Sequence, residues 1–346
     1  MNTDFRRNSD MLLKLFHGNE YDLLCWDEFR FLGIALCGAL IMTFLLLKYL
    51  MNYLPTDGGR AFAVNGEKSK GKPRGAGIIF VLVFAVFSAL FLPMDIENLI
   101  YIVLIVAAML TGYFDDASEK PWNEYKKGFL DFLIAGGVTA NYMYHILTAR
   151  DSYKCGVSFP TFFGIELHPV VVAILSMILI WTSINVVNCT DGVDGLCASL
   201  AIISLLLFLP MIDDHQGYSI VYMILVFIIC LIPYLWFNSS PSKLLMGDAG
   251  SRAIGLLLAI VALKSLSPFL FIPFCLIFII DGGLGLIKVS LKRFLKISIM
   301  KNIRTPIHDH MRKKVGWSDT QVVTRFVLLQ IILGIAVFMF YVLYLA

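Results

Sequence analysis

The chain has 346 residues, of which 58% are apolar or aromatic and only 15% are Asp, Glu, Lys or Arg, with a formal net charge of +3. A soluble domain carries roughly 25% charged residues, so a chain with this composition and a mean hydropathy of +0.79 cannot cover a water-facing surface and is expected to reside in lipid. The same balance excludes a disordered chain, a collagen, a disulfide-stapled secreted module and a DNA-binding domain, and no nucleic-acid partner is expected.

Residues 1–28 are mixed in character (Arg6, Arg7, Asp10, Glu20, Asp22), and no cleavable signal is read ahead of the first apolar run. A helix needs about 20 apolar residues to cross some 30 Å of hydrocarbon. Ten runs approach that length, near 30–51, 75–93, 97–114, 128–148, 169–188, 196–212, 218–237, 253–267, 269–287 and 323–346. Lys264 and Ser265 shorten the eighth. Backbone groups in lipid must bond within their own segment. The expected fold class is therefore an all-α integral membrane protein of about ten transmembrane helices, forming a single polytopic domain over 1–346. The strand alternation of an outer-membrane barrel is missing. The seven cysteines form no CxxC pair and suit small buried hydrophobes better than a zinc site.

The connections divide by parity. Those near 52–74, 115–127, 189–195, 238–252 and 288–322 carry 19 Lys and Arg, against about 6 for the N-terminal segment, 94–96, 149–168, 213–217, the edge at 264–268 and the C-terminus. The positive-inside rule then places the first set in the cytoplasm and both termini outside. Almost every unusual polar motif falls in that first set, so an active site is expected on the cytoplasmic loops.

In chain order, EKSKGKPRGAG (67–77) is basic and glycine-rich and reads as a solvated loop with a turn. Asp115 and Asp116 follow an apolar run directly, with Lys120, Lys126 and Lys127 behind them. Adjacent carboxylates on a helix point to different faces, which suits two jobs, one of them binding a hard cation such as Mg²⁺ and the other acting as a base. An acidic helix end is the plainer reading. In NVVNCTDGVDGL (185–196), Asn185 and Asn188, and again Asp191 and Asp194, are three apart and share a face if helical. No Lys or Arg in that loop neutralises the oxygens, so a metal, a sugar or a base edge is the expected partner. Asp248 sits between Gly247 and Ala249-Gly250 ahead of Ser251 and Arg252, a pattern that lets backbone approach a phosphate at a helix start or simply caps the helix. No P-loop is present. His308 and His310 flank Asp309 among Arg304, Arg312, Lys313 and Lys314. That much positive charge disfavours a transition metal and favours an anion-facing loop. Together these residues suit Mg²⁺ plus a phosphorylated, water-soluble substrate met by a lipid from the side.

These motifs, FDD at 114–116, NVVNCTDGVDGL at 185–196, MGDAGS at 246–251, and TPIHDH with KKVGWSDTQVV at 305–323, resemble the polyprenyl-phosphate N-acetylhexosamine-1-phosphate transferases over nearly the full length. Within that family the histidine loop and the GWSDTQVV run favour the branch handling phospho-MurNAc-pentapeptide. The resemblance implies Mg²⁺-dependent transfer of phospho-MurNAc-pentapeptide from UDP-MurNAc-pentapeptide to undecaprenyl phosphate, giving lipid I and UMP at the bacterial plasma membrane. It implies that Asp115 and Asp116 handle the lipid phosphate and that Asp248 holds Mg²⁺ near the diphosphate. It implies that Asn188, Asp191 and Asp194 lie in the nucleotide-sugar site with Asn238 and Ser251 nearby, and that Lys127 contacts phosphate. His308 and His310 would belong to the loop recognising the muramoyl-peptide.

The chain departs from the family pattern at Asp309 (the family's middle histidine), at KPRGAG (its Thr-Pro-Thr-Met-Gly-Gly), at Glu119 (its lysine) and at Leu245 (its aromatic). The same chemistry on a GlcNAc-1-phosphate donor is the alternative. A transporter is the reading from another class, with Asn141, His145, Asp131 and Asp281 as candidate intramembrane polar groups. A homodimer through lipid-facing spans is compatible with the pattern.

Overall fold

Each apolar run becomes helix in the computed structural model, which describes residues 24–59, 69–91, 95–118, 120, 122–151, 161–162, 165–212, 218–265 and 267–344. In chain order these are α1 (Leu24–Leu50), α2 (Gly77–Phe91), α3 (Ile96–Asp116), α4 (Glu124–Asp151), α5 (Pro169–Thr190), α6 (Leu196–Phe208), α7 (Tyr218–Asn238) and α8 (Gly247–Leu263). A broken helix follows, with arms α9 (Pro268–Phe274) and α10 (Leu276–Leu295) meeting at 68°. The short α11 (Ile307–His310) and the long α12 (Asp319–Tyr344) complete the order. Strand pairing among the described residues amounts to a two-residue antiparallel ladder, β1 (Thr161–Phe162) with β2 (Ile165–Glu166). The expected outer segment 1–28 falls mostly, and Glu119 wholly, outside the described residues.

Among the described residues, five helices are long and apolar enough to cross a membrane, and six if the bent pair forms one span. The chain is a multi-pass membrane protein built from helices. α8 explains part of the gap to ten. Its 17 residues are all buried, so protein rather than lipid surrounds it, and a rise of about 1.5 Å per residue leaves it a little short of the hydrocarbon thickness. It packs against α2, α3, α5 and α6 and forms the axis of the molecule.

Several expected loops are helical at their edges. Asp115 and Asp116 close the last turn of α3 rather than opening a loop. The segment expected as connection 238–252 is already helix from Gly247, so Asp248, Ser251 and Arg252 sit in the first turns of α8. The apolar run 269–287 does not run straight. Pro273 cannot donate a backbone hydrogen bond, and Cys275 leaves helical geometry with φ −119°.

Candidate active site

α3 and α8 pack antiparallel, with the end of one beside the start of the other. A Cβ at Gly112 would run into the backbone carbonyl of Asp248, so glycine there lets the two backbones come together one turn before Asp115 and Asp116. Gly247 adopts φ +67° and faces the Asp116 carboxylate with no room for a side chain. The amide of Ala249, one of the unsatisfied donors of the α8 start, reaches Asp116 Oδ2 at 3.4 Å. Two carboxylates from α3 and one from α8 are thereby held together.

Two cations lace them. Arg74 Nη2 lies 2.7 Å from Asp116 Oδ1 and 3.2 Å from Asp248 Oδ1, while its Nη1 is 3.3 Å from Asp57. Lys127 pairs with Asp115 and stands 3.4 Å from Asp248 Oδ2. Asp115 also accepts the Trp122 amide at 2.8 Å. Burial works against the charge on Arg74, but Asp116, Asp248 and Asp57 outweigh it, and its pKa rises above the ordinary guanidinium value. Lys127 is raised in the same way, with burial opposed by Asp248 and Asp115.

The segment 67–77 is therefore not a solvated loop where it is described. Asp57 and Lys72 pair through backbone at 2.8 Å. Leu245 donates to Pro73, Ala76 to Leu245, and Gly77 to Met246, at 2.8, 3.0 and 3.1 Å. This ladder threads the segment along the start of α8 and leaves Arg74 over the acidic cluster. Motif reading missed Arg74 because its partners are far away in sequence; its departure from the family pattern was the only signal.

Beside the cluster opens a cavity of about 400 Å³ whose lining includes Lys72, Arg74, Asp191, Asp194, His308 and Asp309. Asp191 ends α5 as its C-cap, and the chain then unwinds through the two Asp-Gly steps. Lys72 Nζ donates to Ser242 Oγ at 2.8 Å and lies 3.7 Å from Asp194, which itself accepts the Ser242 amide at 2.9 Å. Asn238 lines the same cavity, yet both ends of its amide serve backbone. Its oxygen accepts from Gly195 and its nitrogen donates to Leu244, each at 2.8 Å, which makes it a brace between α7 and the 189–195 loop. Asn188 donates to Ser251 at 3.2 Å between α5 and α8, and neither is among the lining residues.

The two histidines part company. His308 faces the cavity with Nδ1 2.8 Å from Asp281 Oδ2, and its backbone amide donates to Asp281 Oδ1 at 2.7 Å. His310 Nδ1 instead accepts the Arg304 amide at 3.2 Å and ties down its own loop. Asp281, considered above only as an intramembrane polar group, is thus the residue that orients His308. The other transport candidates are also engaged: Asp131 with Arg252, Asn141 with the Glu97 carbonyl at 3.1 Å, and His145 3.8 Å from the Glu97 carboxylate.

Among the described residues no three His, Cys, Asp or Glu groups converge at metal-ligand spacing, and the HxH pair does not act together. Asp116 and Asp248 do come close enough to share one guanidinium nitrogen. Asp116 Oδ1 is buried and, among the described residues, takes no directed hydrogen bond beyond that ion pair. Oxygen-only donors suit a hard dication such as Mg²⁺ or Mn²⁺ and not a softer metal such as Zn²⁺ or Cu²⁺, so the residues fit Mg²⁺ in kind.

The glycosyl transferase family 4 profile matches residues 98–266, the stretch that carries α3, α5, α8 and three of the acidic motifs. A phospho-N-acetylmuramoyl-pentapeptide-transferase of Treponema pallidum (strain Nichols) is 37% identical over 323 residues, covering 88% of this chain and 87% of the relative. Proteins of the same name from Desulfotalea psychrophila and Dictyoglomus turgidum are 28% and 29% identical, covering 91% and 86% of this chain and 93% and 94% of their own lengths.

Proposed function

This chain belongs to the phospho-N-acetylmuramoyl-pentapeptide-transferase family within glycosyl transferase family 4, and from that premise we propose that it transfers phospho-MurNAc-pentapeptide from UDP-MurNAc-pentapeptide to undecaprenyl phosphate with Mg²⁺, releasing UMP and making lipid I. It is a membrane phospho-sugar transferase. The finer reading adds ten spans, both termini outside and a site open to the cytoplasm of a bacterial plasma membrane, supported by the excess of Lys and Arg on the loops that build the site.

The observation that carries the proposal is the meeting of Asp115, Asp116 and Asp248 with Arg74 and Lys127 at the rim of a polar cavity. In the reaction a phosphorus–oxygen bond to the UMP leaving group breaks and one to the lipid acceptor forms. The protein's part in phosphoryl transfer is mostly alignment and charge neutralisation. Arg74 and Lys127 supply positive charge beside the diphosphate. Asp115 and Asp116, at the end of α3, receive the acceptor phosphate together with its counter-charge and take any proton it carries. Asp248 would hold Mg²⁺, which would supply charge neutralisation at the diphosphate oxygens and the UMP leaving group. Asp191 and Asp194 face the nucleotide-sugar across the cavity, and His308, oriented by Asp281, faces the sugar-peptide side.

The test is UMP release by the purified chain from UDP-MurNAc-pentapeptide and from UDP-GlcNAc, each with undecaprenyl phosphate, with and without Mg²⁺. Release from the muramoyl donor only in the presence of Mg²⁺ is expected. Preference for UDP-GlcNAc would transfer the chain to the alternative substrate, and equal release after metal stripping would remove Asp248's assigned role.

A further inference from the structure

We infer that Arg74 is a resident cation of the phosphate site, bridging Asp116 and Asp248 in the free protein where a divalent ion would sit and turning to the donor's diphosphate oxygens when substrate binds. The inference rests on the transferase reading for the identity of the diphosphate, but its free-protein half rests on geometry alone. One nitrogen, Nη2, serves both carboxylates at 2.7 and 3.2 Å, while Nη1 is held separately by Asp57 at 3.3 Å. A guanidinium offers five donors in a planar fork, so it can keep Asp57 and exchange its other edge. The backbone is fixed by its own bonds, Arg74 donating to Pro55 at 2.7 Å and Leu245 to Pro73 at 2.8 Å, which leaves the side chain as the part that can turn. That side chain lines the cavity next to Lys72.

The charge count gives the arrangement its consequence. Among the described residues, Asp57, Asp115, Asp116 and Asp248 pair with Arg74 and Lys127. The pocket is acidic before any ligand arrives, and Arg74 offsets part of the repulsion between Asp116 and Asp248. A dication approaching the same two carboxylates meets the guanidinium charge within a few ångströms, and at that range like charges repel strongly even in a polar site. Metal and Arg74 therefore compete for Asp116 and Asp248, while metal and Arg74 cooperate once a diphosphate gives the guanidinium a second anion to hold.

The experiment measures Mn²⁺ binding by electron paramagnetic resonance on the full-length protein in detergent without nucleotide, and UDP binding by calorimetry in excess Mg²⁺. Wild type, Arg74→Gln and Arg74→Lys are compared, each checked for a cooperative melt. Arg74→Gln is expected to bind Mn²⁺ roughly tenfold more tightly and UDP several-fold more weakly. Arg74→Lys, which keeps the charge but lacks the planar fork that also reaches Asp57, should shift both in the same directions by less, and it decides the matter if Arg74→Gln fails to fold. Unchanged Mn²⁺ affinity would overturn the resident-cation role, and unchanged UDP affinity would overturn the diphosphate contact. A wild-type chain that releases no UMP from either UDP donor would instead defeat the transferase reading, with the Mn²⁺ comparison still deciding the free-protein role of Arg74.

Discussion

α3 and α8 carry an acid–base cluster at each end, and the two clusters are built on opposite plans. At one end Glu97 meets Lys264 at 2.7 Å, one charge of each sign, with the Tyr101 hydroxyl donating to the same carboxylate at 2.8 Å. Glu97 and Lys264 are 6% and 5% exposed. At the other end, among the described residues, four carboxylates pair with two cations, and the Arg74 and Lys127 side chains keep 22% and 30% of their surface exposed. A balanced, closed pair has no charge left for a ligand and serves as a rung that fixes helix register. An unbalanced, open one has an electrostatic deficit that a cation or a cationic side chain must fill. The difference separates a structural ion pair from a site on the same two helices.

Four substitutions probe that contrast, from the largest expected effect down. Asp248→Asn, at the open end, should lower UMP release by roughly 10³-fold with the melting temperature in detergent near wild type; a rate near wild type would make this end no more functional than the other. Lys264→Met, at the closed end, should do the reverse. It strands Glu97 as a buried unpaired charge and should cost about 3–5 kcal/mol of stability, read as a large drop in melting temperature, with turnover per folded molecule retained. Lys127→Ala should reduce turnover by roughly 10²-fold and lower the melting temperature less than Lys264→Met does, because its side chain is more exposed (30% against 6%). The double variant Glu97→Gln with Lys264→Met should recover most of the lost stability, leaving about 1 kcal/mol of deficit. A double variant as unstable as the single one would show that more than the pair holds that end.

Much of this was readable along the chain. Runs of apolar residues announced each helix, since hydropathy over some 20 neighbours is a local property. Asp115, Asp116 and Asp248 stood out because carboxylates and glycines beside lipid-length runs have few structural uses. The roles of Arg74 and Asp281 were not readable. Arg74 looked like one more charge in a basic loop until backbone bonds between 73–77 and 245–246 laid that segment along α8. Asp281 looked like a lone intramembrane acid until the bend at Cys275 and the loop carrying His308 brought the two together. Asn238 and His310 carried motif positions, yet their polar atoms turned inward to hold backbone.

What the amino-acid order settled unaided is the solvent of this protein, the all-helical class and the acidic ends of α3 and α8, because each depends on residues adjacent in the chain. Which cation answers which carboxylate was settled only by the packed helices. A Coulomb contact depends on distance through space, and Arg74 and Asp248 lie 174 positions apart, a separation over which no local pattern carries information.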